Sequence, residues 1–376
     1  MRRTIVGSRP DTRPKQRADR YHHLLLSLKT SGFHPEKPEH NYIQSGASRV
    51  KYLSRRGDAS VRNRGYLIAG LIIGSSIHGG ANASDLPVVN LGATTFYDGA
   101  EVPGGKGWTT SLYYQNYQGN KITDNKGNKI GLPKSKTNID SVLMQLIYQG
   151  EGGPMNTDWG FSAILPVVTK AHVDDGLNNA ALDGKEGLAD LTIGLYLQFK
   201  PIMGANGPLF AQRVEADVIA PVGDYDKHTA INPGANFWSF DPYWAATLWA
   251  TPKTTISWRL HYLWNGKNTD PSPETYGAGA NNVQAGQAVH LNFNALYAFT
   301  PHFSAGVNGY WLNQFTDTKI DGEEISGRRE KVFAIGPGAM YAFSRQDVVL
   351  ANLYFESEAR NRPEGSRFVM RWVHKL

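Results

Sequence analysis

The sequence predicts an all-β chain, a closed antiparallel up-and-down barrel of about twelve strands that spans a membrane. Three observations predict it. First, the connections alternate in length. Pro252-Lys253, Thr300-Pro301 and Ser344-Arg345-Gln346 are short, whereas 119–136, 169–187, 221–240, 266–284 and 313–330 are long and polar. Second, the segments between them run about ten residues, the length of a tilted strand crossing a bilayer. Third, those segments alternate apolar and polar side chains, as walls between lipid and lumen must. A soluble sandwich has no reason to gather its long loops at one end, and its strands average only about 5–6 residues.

In chain order, residues 1–60 come first, a basic tract with Pro and His and no strand or helix period. Residues 61–83 read as a signal peptide. Arg62 and Arg64 precede the apolar run YLIAGLIIGSSI at 66–77, and Ala81-Asn82-Ala83 supplies a small-residue cleavage site. That run is too short for a spanning helix of about 20 residues. A signal peptide belongs at a chain start, so two readings stand for 1–60. Either translation begins at Val61, from a GTG codon, or the tract is an extended leader or disordered arm. A disordered basic tail explains His22-His23 better than a metal site does. Residues 84–107 are Gly-rich at 102–107 and form either a plug in the lumen or a periplasmic segment.

The twelve expected strands are 108–118, 137–150, 158–168, 188–200, 209–220, 241–251, 254–265, 285–299, 302–312, 331–343, 347–356 and 366–375. Links at 152–154, 204–208 and 357–365 are of middling length. Both termini then fall on the short-turn side, the periplasm. In the second strand Val142, Met144, Leu146 and Tyr148 face lipid, opposite Ser141, Leu143, Gln145 and Ile147. In the fourth, Leu191, Ile193, Leu195, Leu197 and Phe199 do so. In the fifth, Val214, Ala216 and Val218 oppose Arg213, Glu215 and Asp217. Ile256, Trp258, Leu260, Tyr262 and Trp264 oppose Thr255, Ser257, Arg259, His261 and Leu263. Val289, Leu291, Phe293, Ala295, Tyr297 and Phe299 oppose Ala288, His290, Asn292, Asn294 and Leu296. Phe333, Ile335, Ala339 and Tyr341 face out from the tenth strand, and Pro337 on that parity predicts a bulge or kink. The eleventh presents Val349, Ala351, Leu353 and Phe355. Phe368, Met370, Trp372, His374 and Leu376 alternate with Arg367, Val369, Arg371, Val373 and Lys375 in the last strand. Such a terminal strand resembles the mark read by the outer-membrane assembly machinery, which usually ends on an aromatic; here it ends on Leu376. Trp238, Phe240, Tyr243, Trp244, Trp249, Trp264, Phe299, Phe343 and Phe355 suit interfacial girdles.

Composition narrows the function. There is no Cys, which removes disulfides, thiolate catalysis and Cys-held metals. The net charge of +6 is misleading: residues 1–65 hold 15 Lys and Arg against 5 Asp and Glu, leaving 24 against 28 for the rest. The basic balance belongs to the leader, so nucleic acid is not an expected partner. Outer-membrane lipid is.

The segment NPGANFWSFDPY at 232–243 is distinctive, with Asn232, Pro233, Gly234, Asn236, Asp241, Pro242 and Tyr243 as its characteristic residues. With TISWRLHYLWNGKN at 255–268, GVNGYWLNQFT at 306–316, AIGPG at 334–338 and NRPEG at 361–365, it resembles the family named for the meta-pathway of phenol degradation, a set of outer-membrane transport barrels. The likeness spans about 92 to the end. It implies passage of hydrophobic or aromatic small molecules across the outer membrane of a Gram-negative bacterium, and it supplies no set of binding residues.

The lumen-lining candidates are Arg213, Glu215, Asp217, Arg259, His261, His290, Asn292, Asn294, Arg367 and Arg371. Two readings are open, a salt-bridged network filling a narrow barrel or a polar lining for a diffusing solute. A barrel hydrolase is the alternative class, because Ser257 shares a face with His261. No G-x-S-x-G or H-E-x-x-H occurs. No catalytic residue, cofactor or metal site is expected. Asp174-Asp175 and Asp224-Tyr225-Asp226 read as solvated loop charge.

Overall fold

The computed structural model describes residues 85–93, 96–101, 105–176, 184–229 and 231–376. The leader and the signal peptide lie outside the described residues. Twelve long strands form one ring, each antiparallel to its neighbours. They are β1 (Gly107–Ile122), β2 (Lys136–Gly150), β3 (Thr157–Asp174), β4 (Leu191–Phe199), β5 (Gly207–Ala220) and β6 (Tyr243–Thr251). The ring continues as β7 (Thr254–Asn265), β8 (Ala288–Ala298), β9 (Phe303–Gln314), β10 (Lys331–Ala342), β11 (Asp347–Arg360) and β12 (Pro363–Lys375). β12 pairs back onto β1, from Thr109 opposite Lys375 to Ile122 opposite Pro363, so no sheet edge is left. Helix among the described residues is confined to single turns at Pro154–Asn156 and Pro273–Tyr276.

The alternation expected from sequence is the wall. In β7, Ile256, Leu260, Tyr262 and Trp264 are exposed, while Thr255, Ser257, Arg259, His261 and Leu263 are buried. In a water-soluble protein such a belt, with Leu195 67% and Phe343 65% exposed, would be costly; against lipid it is the required surface. Trp108, Tyr148, Trp159 and Phe161 cluster near the short-turn end, as do Tyr297, Phe299 and Phe303.

Three expectations are corrected. Tyr243 and Trp249 are buried on the inner face, and Trp249 packs on Tyr97 inside the barrel, 6.1 Å between rings. They share odd-number parity with the lumen-facing Thr247, and nearness to a strand end does not override parity. Pro337 leaves a gap in the pairing with β11 without a slip in register; the shift falls at Lys331/Phe333 instead. The connection expected at 357–365 is mostly strand, and β11 and β12 turn at Asn361-Arg362. Glu356, Glu358 and Arg360 carry that hairpin past the apolar belt, where alternation fades but the backbone ladder continues.

At the long-connection end four two-residue strands, Lys267–Asn268, Val283–Gln284, Lys319–Ile320 and Glu323–Glu324, form a small sheet over the rim. The segment before β1 runs through the lumen. Asp85 starts among the long connections, and Lys106 ends beside Lys375 at the short turns. Leu376 therefore lies at the short-turn end, whereas the lumen segment begins at the opposite one.

Candidate functional site

The lumen is built by two sets of groups, the inner parity of the wall and the strap formed by 85–93 and 96–101. The strap has no ladder of its own, so wall side chains satisfy its backbone. Asn292 does this twice. Its Oδ1 accepts from Gly92 N at 2.7 Å and its Nδ2 donates to Asn90 O at 3.1 Å. The Tyr354 hydroxyl donates to Gly92 O at 2.6 Å. Gly99 N donates to Thr247 Oγ1 at 3.0 Å, and Gln198 Nε2 donates to Gly99 O at 2.9 Å. Gly99 passes so close to the wall that a Cβ there would stand 2.4 Å from Ala246 Cα. Gly92 has φ +80° and faces the Tyr354 and Tyr310 rings. Phe96 and Tyr97 pack with Trp249, Leu296, Met340 and Leu350, anchoring the lower half of the strap.

Charge fastens the strap further. Arg259 Nη2 reaches Asp98 Oδ1 at 3.2 Å, both side chains fully buried. Near the rim, Asp85 takes a bidentate pair from Arg328 at 2.6 and 2.8 Å and accepts from the Tyr276 hydroxyl at 2.9 Å. Glu330 Oε1 accepts from Leu86 N at 3.0 Å. Burial pushes the Glu330 carboxyl up to about 7, against the opposing pull of Arg362 and of the Leu86 N–H.

All ten side chains of the sequence-derived set sit on the inner face, at 3% exposure or less. They fall into separate groups. Arg259 is paired with Asp98. Arg213 donates to the Tyr243 hydroxyl at 2.8 Å and stands 3.6 Å from Glu215, which also accepts from Tyr243 and from Ser162. His261 Nδ1 and His290 Nε2 both approach the Asp241 carboxylate, at 3.2 and 3.1 Å. Arg367 lies over Tyr117 and Tyr310, and Arg371 over Tyr113. Asn292 holds the strap, while Asn294 and Asp217 complete the inner wall.

The segment at 232–243 divides between two tasks. Asn232 folds the loop: its Oδ1 accepts from Asp226 N at 2.8 Å and its Nδ2 donates to Asp226 O and Thr229 O at 3.0 Å each. Pro233 lines the rim cavity, and Gly234 packs against Gly223. Asn236 bonds Asn268 at 2.8 Å. Asp241, Pro242 and Tyr243 drop into the wall beside the His pair. The loop acids are turn-makers. Asp224 accepts from Leu188 N at 2.9 Å, Asp226 from His228 N at 2.9 Å, and Asp174 pairs with Lys134 at 2.5 Å.

Above the strap lies a cavity of about 430 Å³, lined on its apolar side by Leu86, Ile122, Ile231, Pro233 and Phe237. Tyr225, Asn268, Tyr276 and Arg328 add polar tips. A recess of about 780 Å³ marks the lipid side where Asp241-Pro242 interrupts the strand ending as β6; Trp159, Leu195, Trp244 and Leu260 line it. Ser257 Oγ bonds Thr247 Oγ1 at 3.0 Å, His261 Nδ1 faces Asp241, and among the described residues no hydrogen bond joins Ser257 to His261.

Sequence reasoning missed Asp98, Gly99, Tyr354, Asn90 and the rim cluster of Asp85, Tyr276 and Arg328. The available clue was the tyrosines on inner parity, Tyr113, Tyr117, Tyr196, Tyr310 and Tyr354, which mark where guanidinium groups can be stacked and shielded.

The chain belongs to the family of the MetA-pathway of phenol degradation, whose family model matches residues 119–372. Among solved structures it is similar to an outer membrane channel from Pseudomonas putida F1, at 18% identity and TM-score 0.63, over 72% of this chain and 95% of that one. That likeness is one of fold. A NanC porin overlaps at TM-score 0.40 and 10% identity (71% and 100% of the two chains), and a TodX monoaromatic hydrocarbon channel variant at 0.36 and 10% (73% and 91%). Overlaps that loose carry no argument. No curated protein matches the chain.

Proposed function

We propose that this member of the phenol-degradation family is a passive outer-membrane channel for small hydrophobic or aromatic compounds and performs no covalent chemistry. The observation that carries the reading is the apolar cavity at the rim, about 430 Å³, set directly above a polar lumen and floored by the strap. A cavity of that size suits a single aromatic ring with short substituents. The strap closes the lumen through side-chain hydrogen bonds and packing rather than a β-ladder, so it can shift without opening the barrel wall. The family's link to phenol degradation supports aromatic solutes. In this reading the long connections face outward, the short turns and Leu376 face the periplasm, and the amphipathic last strand engages the assembly machinery. Ser257, whose Oγ is bonded to Thr247 and not to a histidine, argues against the hydrolase alternative.

The test is influx into liposomes of phenol- and alkylbenzoate-like solutes, compared with empty vesicles. Wild-type protein is expected to raise influx. Gly99→Val, which places side-chain atoms where a Cβ alone would already meet Ala246 and Ala211, is expected to raise it further by displacing the strap. Turnover of phospholipid or ester would replace the channel reading with a hydrolase. No influx through either protein would leave a structural barrel.

A further inference from the structure

We infer that Asp241, His261 and His290 form a binding site for one divalent transition-metal ion inside the barrel wall. His261 and His290 stand directly opposite each other in the β7–β8 ladder, their rings stacked 4.0 Å apart. Each turns one nitrogen to a different oxygen of Asp241, at 3.2 and 3.1 Å. The three ligand atoms lie within 4.8 Å of one another, and all three residues are buried. Ligands held about 2.0–2.1 Å from a tetrahedral ion stand about 3.3 Å apart, close to the two carboxylate–imidazole separations here. Those contacts engage only one nitrogen of each ring.

Arg259 is paired with Asp98 and Arg213 with Glu215. Asp217 lies across the ladder, Asp241 N donating to its main-chain oxygen at 2.9 Å. The Asp217 side chain is fully buried and hydrogen-bonded to the Glu215 carboxyl; the orphaned groups are His261 Nε2 and His290 Nδ1, buried and, among the described residues, without a hydrogen-bond partner. Buried polar groups in that condition mark an ion or an ordered water. Two imidazoles and one carboxylate favour Zn²⁺, Co²⁺ or Ni²⁺ over Mg²⁺ or Ca²⁺. The site ties the interrupted strand at Asp241-Pro242 to β7 and β8, where Pro242 has no N–H to donate.

The experiment uses tag-free full-length barrel refolded with a chelator, with Co²⁺, or with Zn²⁺, then dialysed. Bound metal is counted by plasma emission, and folding is checked by heat-modifiable gel mobility. About one ion per barrel is expected, with visible d–d absorption for Co²⁺ that Zn²⁺ removes and Mg²⁺ does not. Asp241→Asn and the pair His261→Ala/His290→Ala should each lower affinity at least about tenfold. The pair His302→Ala/His374→Ala, near the short turns, should leave it unchanged. If the double variant fails to fold, the single variants and the wild-type Co²⁺ spectrum decide. Folded wild type that takes up no more metal than chelator-treated protein, or a folded variant that keeps full occupancy, overturns the site. Neither result bears on solute passage.

Discussion

Arg259 meets Asp98 at 3.2 Å, 161 residues away in sequence, with neither side chain exposed. The guanidinium also lies 4.3 Å from the Tyr243 ring centroid. It is thus held between the strap and the wall, and the strap's position depends on a charge that cannot be solvated if its partner is lost.

Asp98→Ala should therefore destabilise the barrel by about 3–5 kcal/mol, the cost of stranding one member of a buried pair. Adding Arg259→Met should recover part of that loss, since the stranded charge is then gone. Urea midpoints in detergent micelles check both. A double variant no more stable than Asp98→Ala would show that Arg259 finds another partner once Asp98 is removed.

The outer wall makes a separate prediction. Leu260 sits midway along β7 on the lipid face, 41% exposed, whereas Phe299 follows β8 at the short-turn rim. Leu260→Arg should cost about 2–4 kcal/mol and Phe299→Arg about 0–1 kcal/mol, because the penalty for a charge falls from bilayer centre to interface. Folding equilibria in lipid vesicles measure the difference. Equal costs would mean that Leu260 does not lie at mid-bilayer.

The wall was legible in the sequence because lipid imposes a period of two. Leu260 and His261 were assigned opposite faces from that pattern alone. The strap was not legible as a lumen element. Residues 85–93 and 96–101 have no periodicity, because backbone groups there are met by wall side chains such as Asn292 and Gln198 rather than by a ladder. The ten inner-face residues could be placed by parity, but not their partners. Asp241 lies 20 residues from His261 and 49 from His290, and the pairing of three sequential strands brings them together. Tyr243 and Trp249 were misread because aromatic content near a strand end outweighed parity. The hairpin around Asn361 was read as a loop because charged residues carry it beyond the belt, where no apolar face is required.

Glu330 links the rim to pH. It lies outside the strands, is buried, and its carboxyl is pushed up to about 7 from an ordinary value of 4.5. Between those values the folded state binds the proton and the unfolded chain does not. Stability then falls as pH rises, since the slope follows protons bound in the unfolded state minus those in the folded state, here negative. The contribution is fully present below about pH 4.5 and lost as pH passes about 7. Glu330→Gln keeps an acceptor for Leu86 N and cannot titrate. The stability of wild type relative to this variant should therefore decline across that window, read from urea midpoints at closely spaced pH values. Other groups titrate in both proteins and cancel in the comparison. A wild-type-minus-variant curve that is flat, or that rises with pH, would show that Arg362, 3.6 Å away, keeps Glu330 ionised throughout.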